Sequence, residues 1–220
     1  MWWKVLLLPL ICLILFAIFY LPAPQSQLGE ISRIIFFHIP MAWVAVLAFL
    51  ISMINSIRYL RNRDLSYDTK AVVSARLGLV SCLLAAVSGA IFAKATWGSF
   101  WNWDPRETTI FVLLLIYGAY FALRSAVSSD QRRAALCGVY SILAFLTVPF
   151  LIFVIPRAYQ SLHPNMSILN QNLKFQMPFE ILILLILSLI GMTLIFAWIY
   201  DLEVRISKLN RFERKEQNAS

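Results

Sequence analysis

The 220-residue sequence contains little charge, because only 14% of its residues are Asp, Glu, Lys or Arg. Ordinary globular domains carry about a quarter charged residues. Here 60% of the residues are hydrophobic and the mean hydropathy is +0.75, which excludes a water-soluble domain. The apolar runs are too long and continuous for the alternating strands of a barrel. The sequence therefore predicts an all-α, polytopic membrane protein, since helices satisfy their own backbone polar groups in lipid.

Cysteine is also scarce, with only Cys12, Cys82 and Cys137. The three lie far apart, in or beside apolar runs, and no C-x-x-C or C-x-x-C-H motif occurs. This excludes a thiol oxidoreductase of the C-x-x-C type and a c-type cytochrome. We interpret the three cysteines as small apolar packing residues.

The basic residues are unevenly distributed along the chain, which has a formal net charge of +8. Fourteen of the 19 Lys and Arg residues lie at the N-terminus, in residues 58–76 and 124–133, or after residue 200, and the other five lie in the alternate loops. This alternation follows the positive-inside rule, so we expect both termini in the cytoplasm. No aromatic-interleaved basic patch accompanies it, so we expect the lipid bilayer and no nucleic acid as a partner.

Six apolar runs predict six transmembrane helices in a single domain of residues 1–220. The spans are expected at about residues 5–20, 37–57, 77–93, 108–123, 134–155 and 179–200, followed by a cytoplasmic tail at 201–220. A cleaved signal peptide is the alternative for the first run, although Pro22-Ala23-Pro24 is a poor cleavage site.

Two features inside the spans predict local geometry. Pro149 is expected to kink the fifth span near its outer end. Ala85, Gly89 and Ala93 recur at every fourth residue of the third span. Such a stripe of small residues predicts that a neighbouring helix approaches closely.

The segment between the third and fourth spans is rich in tryptophan. Trp97, Phe100, Trp101 and Trp103 fall within seven residues. Indole rings have a large apolar face and one N–H donor, so they suit the boundary between membrane and water. We therefore expect this segment at the outer membrane surface.

The same segment ends in a helix-start pattern. Asp104 is predicted to be the N-cap, Pro105 to take the first helical position, and Glu107 to complete a capping box. A second role for Asp104 stays open.

The chain has two histidines, His38 and His163, both expected on the side of the tryptophan segment. Each alone is equally an interfacial polar residue hydrogen-bonded to a carbonyl. Together with the aromatic surface they would supply two axial nitrogens and flat apolar contacts for a haem, whereas zinc requires three or four ligands. Propionate groups, or lipid phosphates instead, are candidate partners for four basic residues, Arg33, Arg106, Arg157 and Lys174.

These segments resemble a known family. Trp97-Gly98-Ser99-Phe100-Trp101-Asn102-Trp103-Asp104 is similar to the W-G-x-x-W-x-W-D signature of the haem-handling proteins of cytochrome c biogenesis. Arg33 to Trp43 and Ser161 to Pro164 resemble the segments that carry the two outer histidines in the cytochrome c maturation protein C (CcmC) family. The continuation Asp104 to Thr108 is closer to W-D-P-K-E-T of the larger CcsA-type family. The lack of an intramembrane histidine favours the shorter family.

The resemblance implies a site and a cofactor. Family members hold haem at the outer membrane surface, so the implied cofactor is non-covalent haem b with His38 and His163 as axial ligands of the iron. Trp97, Trp101 and Trp103 would form the platform. The remaining candidate site residues are Gly98, Asp104 and Arg106.

The resemblance also implies partners and a location. Haem would pass to a membrane-anchored, CcmE-like chaperone, with CcmA/CcmB-like ABC transporter subunits and a small one-span, CcmD-like subunit nearby. The expected location is the bacterial inner membrane, with the haem site on the periplasmic face. A CcsA-type subunit for haem export and cytochrome c synthesis is the alternative.

We expect no catalytic activity of the chain's own. A lyase that forms the thioether bonds to apocytochrome is disfavoured because there is no soluble substrate-binding domain. A permease subunit is disfavoured because the spans contain almost no charge to line a polar path.

Overall fold

The computed structural model describes residues 3–24, 28–162 and 178–217. All regular secondary structure in these ranges is helical, so the predicted all-α fold is confirmed. The helices are α1 Trp3–Tyr20, α2 Ile35–Asn62, α3 Leu65–Trp97, α4 Pro105–Ala126, α5 Asp130–Pro149, α6 Ile155–Ala158 and α7 Phe179–Gln217.

Most of the helices are long and apolar enough to cross a bilayer. The five such segments are Gly29–Asn62, Leu65–Trp97, Pro105–Ala126, Asp130–Ala158 and Phe179–Asn210. A sixth apolar helix, Lys4–Tyr20, is shorter. The first of the five begins with a 3₁₀ turn, Gly29–Ile34, that leads directly into α2. The chain is thus a multi-pass membrane protein.

Tight connections between successive helices give the bundle two distinct ends. At one end Arg63 adopts a left-handed conformation that closes α2, and Asp64 caps α3 by accepting a hydrogen bond from the Ser66 amide at 2.8 Å. At the other end residues 97–104, the tryptophan segment, join α3 to α4. We call these the basic end and the tryptophan end.

Helices α2 and α3 pack closely because small residues meet along their length. Ala48 and Ala85 are buried. A Cβ on Gly78 would lie 2.6 Å from Cε1 of Phe49, so only glycine fits there. The predicted small-residue stripe at 85, 89 and 93 is confirmed: Ala85 and Ala93 are buried, and Gly89 faces a side chain of α2.

The bundle interior is largely apolar. Phe49 of α2 stacks on Tyr117 of α4 with ring centroids 3.5 Å apart. Cys82 and Cys137 are buried among these helices, as a packing role requires, whereas Cys12 is exposed on α1. The packing interpretation is therefore wrong for Cys12.

Two polar contacts cross the interior or its edge. Asp68 and Arg124 form a paired ion bridge between α3 and α4 near the basic end, with N–O distances of 2.9 and 2.6 Å. Lys4 of α1 donates to Asp201 of α7 at 3.1 Å. These pairs tie neighbouring helices together at the basic end.

The irregularity expected at Pro149 takes the form of a π turn. The α-helical hydrogen bonding of α5 ends at Pro149, residues Phe150–Val154 form a π-helical turn, and α6 follows. Proline lacks the amide hydrogen that continues the ladder, so the helix widens locally. This turn brings α6 to the tryptophan end.

Candidate functional site

A cavity of about 190 Å³ opens at the tryptophan end between α2, α3, α4 and the π turn with α6. Its walls are mainly small and aliphatic side chains. Three polar residues, His38, Arg106 and Glu107, and two aromatic residues, Phe100 and Trp101, also line it. The cavity therefore combines one imidazole, one guanidinium and one carboxylate with flat apolar surfaces.

His38 projects from the first turn of α2 and is held by α3. Its Nδ1 lies 3.0 Å from the carbonyl oxygen of Ala85 and 3.1 Å from Oγ of Ser88. A carbonyl oxygen only accepts, so Nδ1 carries the hydrogen. The Ser88 hydroxyl donates to the carbonyls of Leu84 and Ala85, which leaves its oxygen free to accept. Nε2 therefore keeps its lone pair and is the nitrogen available to a metal.

The imidazole fits against α3 because residue 89 has no side chain. A Cβ on Gly89 would lie 3.1 Å from Cε1 of His38 and 3.6 Å from Nδ1. Ala85, Ser88 and Gly89 thus form the seat of the ring, and the small-residue stripe has this second role. A serine and a glycine side by side in an apolar span are the signal from which the seat could have been predicted.

The tryptophan segment begins with a reversal of the chain. Gly98 has φ +81°, the left-handed conformation that ends α3, and its amide donates to the Lys94 carbonyl at 3.2 Å. Nζ of Lys94 donates to the Gly98 carbonyl at 2.8 Å and lies 5.7 Å from the centroid of the Phe100 ring. The turn thereby brings Phe100 to the cavity, and Gly98 acts through its backbone.

The three predicted platform tryptophans have different environments. Trp101 lines the cavity and is 36% exposed. Trp103 is 75% exposed and packs edge-to-face on Trp101, with centroids 5.6 Å apart. Trp97 packs edge-to-face on Phe92 at 5.9 Å instead. Within the described residues, the cavity wall includes Trp101 and Phe100, but neither Trp97 nor Trp103.

The helix start predicted after this segment is confirmed. The Asp104 carboxylate accepts from the Arg106 amide at 2.9 Å, and Pro105 takes the first helical position. Oε2 of Glu107 accepts from the amides of Asn102, at 2.8 Å, and Asp104, at 3.4 Å. The capping box fixes where Arg106 and Glu107 leave α4, which is beside the cavity.

Asp104 also binds the chain that follows α6. It is 3% exposed, and its Oδ2 accepts from the Ser161 hydroxyl at 2.8 Å and from the Leu162 amide at 2.7 Å. The second role left open by the sequence is therefore a contact between the start of α4 and residues 161–162. His163, the next residue, lies outside the described residues.

Among the four basic residues considered as propionate partners, Arg106 lies at the cavity. Its guanidinium makes no hydrogen bond to any other described residue. Arg33 instead donates to the Leu21 carbonyl at the end of α1, at 2.8 Å. Arg157 donates to a main-chain carbonyl of its own helical segment. Lys174 lies outside the described ranges.

The acidic and metal-binding potential of the site is limited. Oε1 of Glu107 is buried at the cavity without a hydrogen-bond partner among the described residues. No three His, Cys, Asp or Glu side chains cluster as a metal site in the part of the chain that the structure describes. The chemistry that the site offers is therefore one lone-pair nitrogen, one cation and an aromatic surface.

Comparison with known proteins agrees with this geometry. The family model described as Heme exporter protein C matches residues 1–219. The Heme exporter protein C of Paracoccus denitrificans is 32% identical over 150 residues, covering 68% of this chain and 62% of that protein. That of Rhodobacter capsulatus is 26% identical over 211 residues, covering 91% of this chain and 84% of the relative.

A shorter similarity connects the chain with the larger family. The cytochrome c biogenesis protein CcsA of Prochlorococcus marinus is 36% identical over 84 residues, which is 38% of this chain and 26% of that protein. The match to the Heme exporter protein C model, by contrast, extends over almost every residue. The chain therefore belongs to the Heme exporter protein C family of cytochrome c biogenesis.

Proposed function

We propose that this protein binds haem non-covalently at the tryptophan end of the bundle and presents it to a membrane-anchored haem chaperone. The observation that carries the proposal is the orientation of His38. Its Nδ1 is occupied by the Ala85 carbonyl and the Ser88 hydroxyl, so Nε2 is directed to act as a ligand. Histidines that bind metals usually have such a hydrogen bond on the other nitrogen, which fixes the tautomer and raises basicity.

The residues at the cavity fit a haem. A bound haem would supply an iron that accepts imidazole nitrogen, and His38 offers one. Phe100 and Trp101 offer flat apolar surface for a porphyrin. The guanidinium of Arg106 matches a carboxylate such as a propionate, and it is uncommitted among the described residues. We interpret the carboxylate oxygen of Glu107 that lacks a partner as an acceptor for water or for a protonated group.

The size of the cavity supports presentation over storage. About 190 Å³ is below the roughly 300–1,000 Å³ of pockets that enclose a drug-sized ligand. A porphyrin would therefore extend over the exposed edge formed by Phe100, Trp101 and Trp103. A cofactor held in this way is accessible to a partner protein, and one axial imidazole can be replaced by a ligand of that partner.

The second axial ligand in this proposal is His163, taken from the family resemblance. The chain immediately before it is bound to Asp104, at the mouth of the same cavity. The protein breaks and forms no covalent bond of haem or apocytochrome in this scheme, so we propose a binding and transfer role rather than an enzymatic one.

The proposed location is the bacterial inner membrane with the cavity on the periplasmic face. The turn at residues 63–64 and the last turn of α4 carry basic residues at the end opposite the cavity. By the positive-inside rule that end faces the cytoplasm, together with both termini. CcmA/CcmB-like transporter subunits, a CcmD-like subunit and a CcmE-like chaperone are the proposed partners.

The test is haem binding by histidine variants. Protein purified from haem-replete cells should show a Soret band that is lost or shifted in His38→Ala and in His163→Ala. Added imidazole should partly restore the spectrum of His38→Ala, because the truncation leaves space beside the Ala85 carbonyl. Cys12→Ser, on the exposed side of α1, is the control and should bind as the wild type does. Unchanged haem content and Soret band in both histidine variants would refute the ligand assignment.

A second candidate is a CcsA-type role in haem export and cytochrome c synthesis. The 84-residue similarity to the Prochlorococcus marinus protein favours it. The two candidates differ in their need for a chaperone. Cytochrome c formation in cells that contain this protein but no haem chaperone would support the second candidate, and strict dependence on the chaperone would support the first.

A further inference from the structure

We infer that Asp104 is a positioning residue for the second haem ligand: it binds residues 161–162 and thereby fixes the point from which the chain continues to His163. This inference rests on the proposed function, because it assigns a purpose to the contact only if His163 is a ligand. Asp104 itself need not touch haem. Its role is exerted through Ser161 and Leu162.

The first argument is the use of the two carboxylate oxygens. An N-cap requires one side-chain acceptor, and Oδ1 of Asp104 supplies it to the Arg106 amide at 2.9 Å. Oδ2 accepts instead from the Ser161 hydroxyl and the Leu162 amide, at 2.8 and 2.7 Å. These donors are 57 and 58 residues away in the chain. A cap alone does not explain that second set of bonds.

The second argument is the strength of the contact. Asp104 is 3% exposed, so water competes little for its oxygens. Hydrogen bonds to an ionised acceptor are shorter and roughly twice as strong as those between neutral groups. One of the two donors is the backbone amide of Leu162, so the contact restrains the main chain and not only a side chain.

The third argument is proximity along the chain. The Cα atoms of successive residues are about 3.8 Å apart, so restraining Leu162 restrains where residue 163 begins. The same carboxylate caps α4, whose first turn carries Arg106 and Glu107 to the cavity. Asp104 thus joins the cavity wall to the chain that leads to the second histidine. Ordering a ligand before binding raises affinity because less freedom is lost on binding.

The test uses Asp104→Asn, which separates the two roles. Asparagine is as good an N-cap as aspartate, and its Oδ1 still accepts from the Arg106 amide. Its NH₂ group replaces Oδ2, so a donor faces the Leu162 amide. We expect the spectrum to change to that of His163→Ala, and haem retention to fall roughly tenfold or more, as the loss of bonds to a charged acceptor implies. Added imidazole should restore the six-coordinate spectrum.

The matched control is Asp64→Asn at the basic end. Asp64 also caps a helix, and it also accepts from a backbone amide and a hydroxyl, both of Ser66, at 2.8 and 2.6 Å. Its variant should leave the haem spectrum unchanged. Ser161→Ala, which removes only one donor, guards against misfolding of Asp104→Asn and should give an intermediate loss.

A second readout does not depend on haem. Hydrogen exchange at the Leu162 amide of the haem-free protein should become faster in Asp104→Asn and stay unchanged in Asp64→Asn. Unchanged exchange in Asp104→Asn would overturn the inference. So would a wild-type spectrum in Asp104→Asn when His163→Ala has an altered one, and the proposed function would then survive. If His163→Ala itself keeps the wild-type spectrum, the ligand assignment has failed and this inference fails with it.

Discussion

Gly89→Ala tests whether α3 positions the histidine ligand. The new Cβ would lie 3.1 Å from Cε1 of His38, whereas carbon atoms in favourable contact are about 3.5–4.0 Å apart. The ring or the helix must therefore move by at least about 0.4 Å. The Nδ1 atom is itself held at 3.0 Å from the Ala85 carbonyl, so a shift of the ring strains or breaks this bond.

The expected magnitudes oppose one another. Alanine favours a helix over glycine by about 1 kcal/mol, while loss of the imidazole–carbonyl hydrogen bond costs about 0.5–1.5 kcal/mol. The stability of the haem-free protein should therefore change little. Haem affinity should fall, because changes in the groups that orient a metal ligand typically cost 10–100-fold in affinity. This corresponds to about 1.4–2.8 kcal/mol of binding free energy.

The assay is haem titration of the purified protein, followed by the Soret band, with thermal unfolding of the haem-free protein measured in parallel. Gly118→Ala is the matched control. Gly118 also lies inside a helix, α4, and a Cβ there would have no atom within 4 Å. We expect Gly118→Ala to bind haem as the wild type does. If Gly89→Ala binds haem with the wild-type affinity, the seat formed by α3 is not required for ligation.

Two further predictions concern the bundle rather than the site. Gly78→Ala places a Cβ 2.6 Å from the buried Phe49 ring, and overpacking of this kind should cost about 1–3 kcal/mol. Denaturant unfolding should then have a lower midpoint, while the folded fraction keeps its haem spectrum. Asp68→Asn leaves Arg124, whose side chain is 15% exposed, without its partner, at a cost of about 3–5 kcal/mol. The Asp68→Asn/Arg124→Gln double variant should recover most of that stability, and a double variant as unstable as Asp68→Asn would contradict the explanation.

Local rules were sufficient to predict the start of α4. The Asp104–Glu107 capping box depends on residues three apart in the chain, so its geometry follows from the sequence alone. The contact between Asp104 and residues 161–162 does not. It joins segments 57 and 58 residues apart, and no periodicity or cap pattern encodes which loops meet in space.

The seat of His38 was predictable only in part. The small-residue stripe of α3 correctly indicated a close helix approach. It did not indicate that Ser88 and Gly89 would face the imidazole, because this depends on the register between α2 and α3. A shift of one residue along either helix rotates it by about 100°, given 3.6 residues per turn. Sequence reasoning therefore found the helix contact but not the ligand's hydrogen bonds.

The tryptophan segment shows a different limit. Its indoles look equivalent in the sequence, but Gly98 and Trp103 both have positive φ angles. Each such residue reverses the direction of the chain, so neighbouring side chains no longer follow a helical or extended period. Trp97 consequently packs on Phe92, and Trp101 reaches the cavity.

The placement of the site at the end of the bundle has an electrostatic reason. The first turn of α4 presents unpaired amides and a partial positive charge, to which Arg106 adds a full charge. Anionic groups such as propionates are therefore favoured there. The imidazole of His38 lies on the other side of the cavity among apolar residues, where a neutral ligand is the stable form. A flat molecule that is apolar at its centre and acidic at one edge matches both sides, which is why the same cavity can accept haem without any charge in the middle of the bundle.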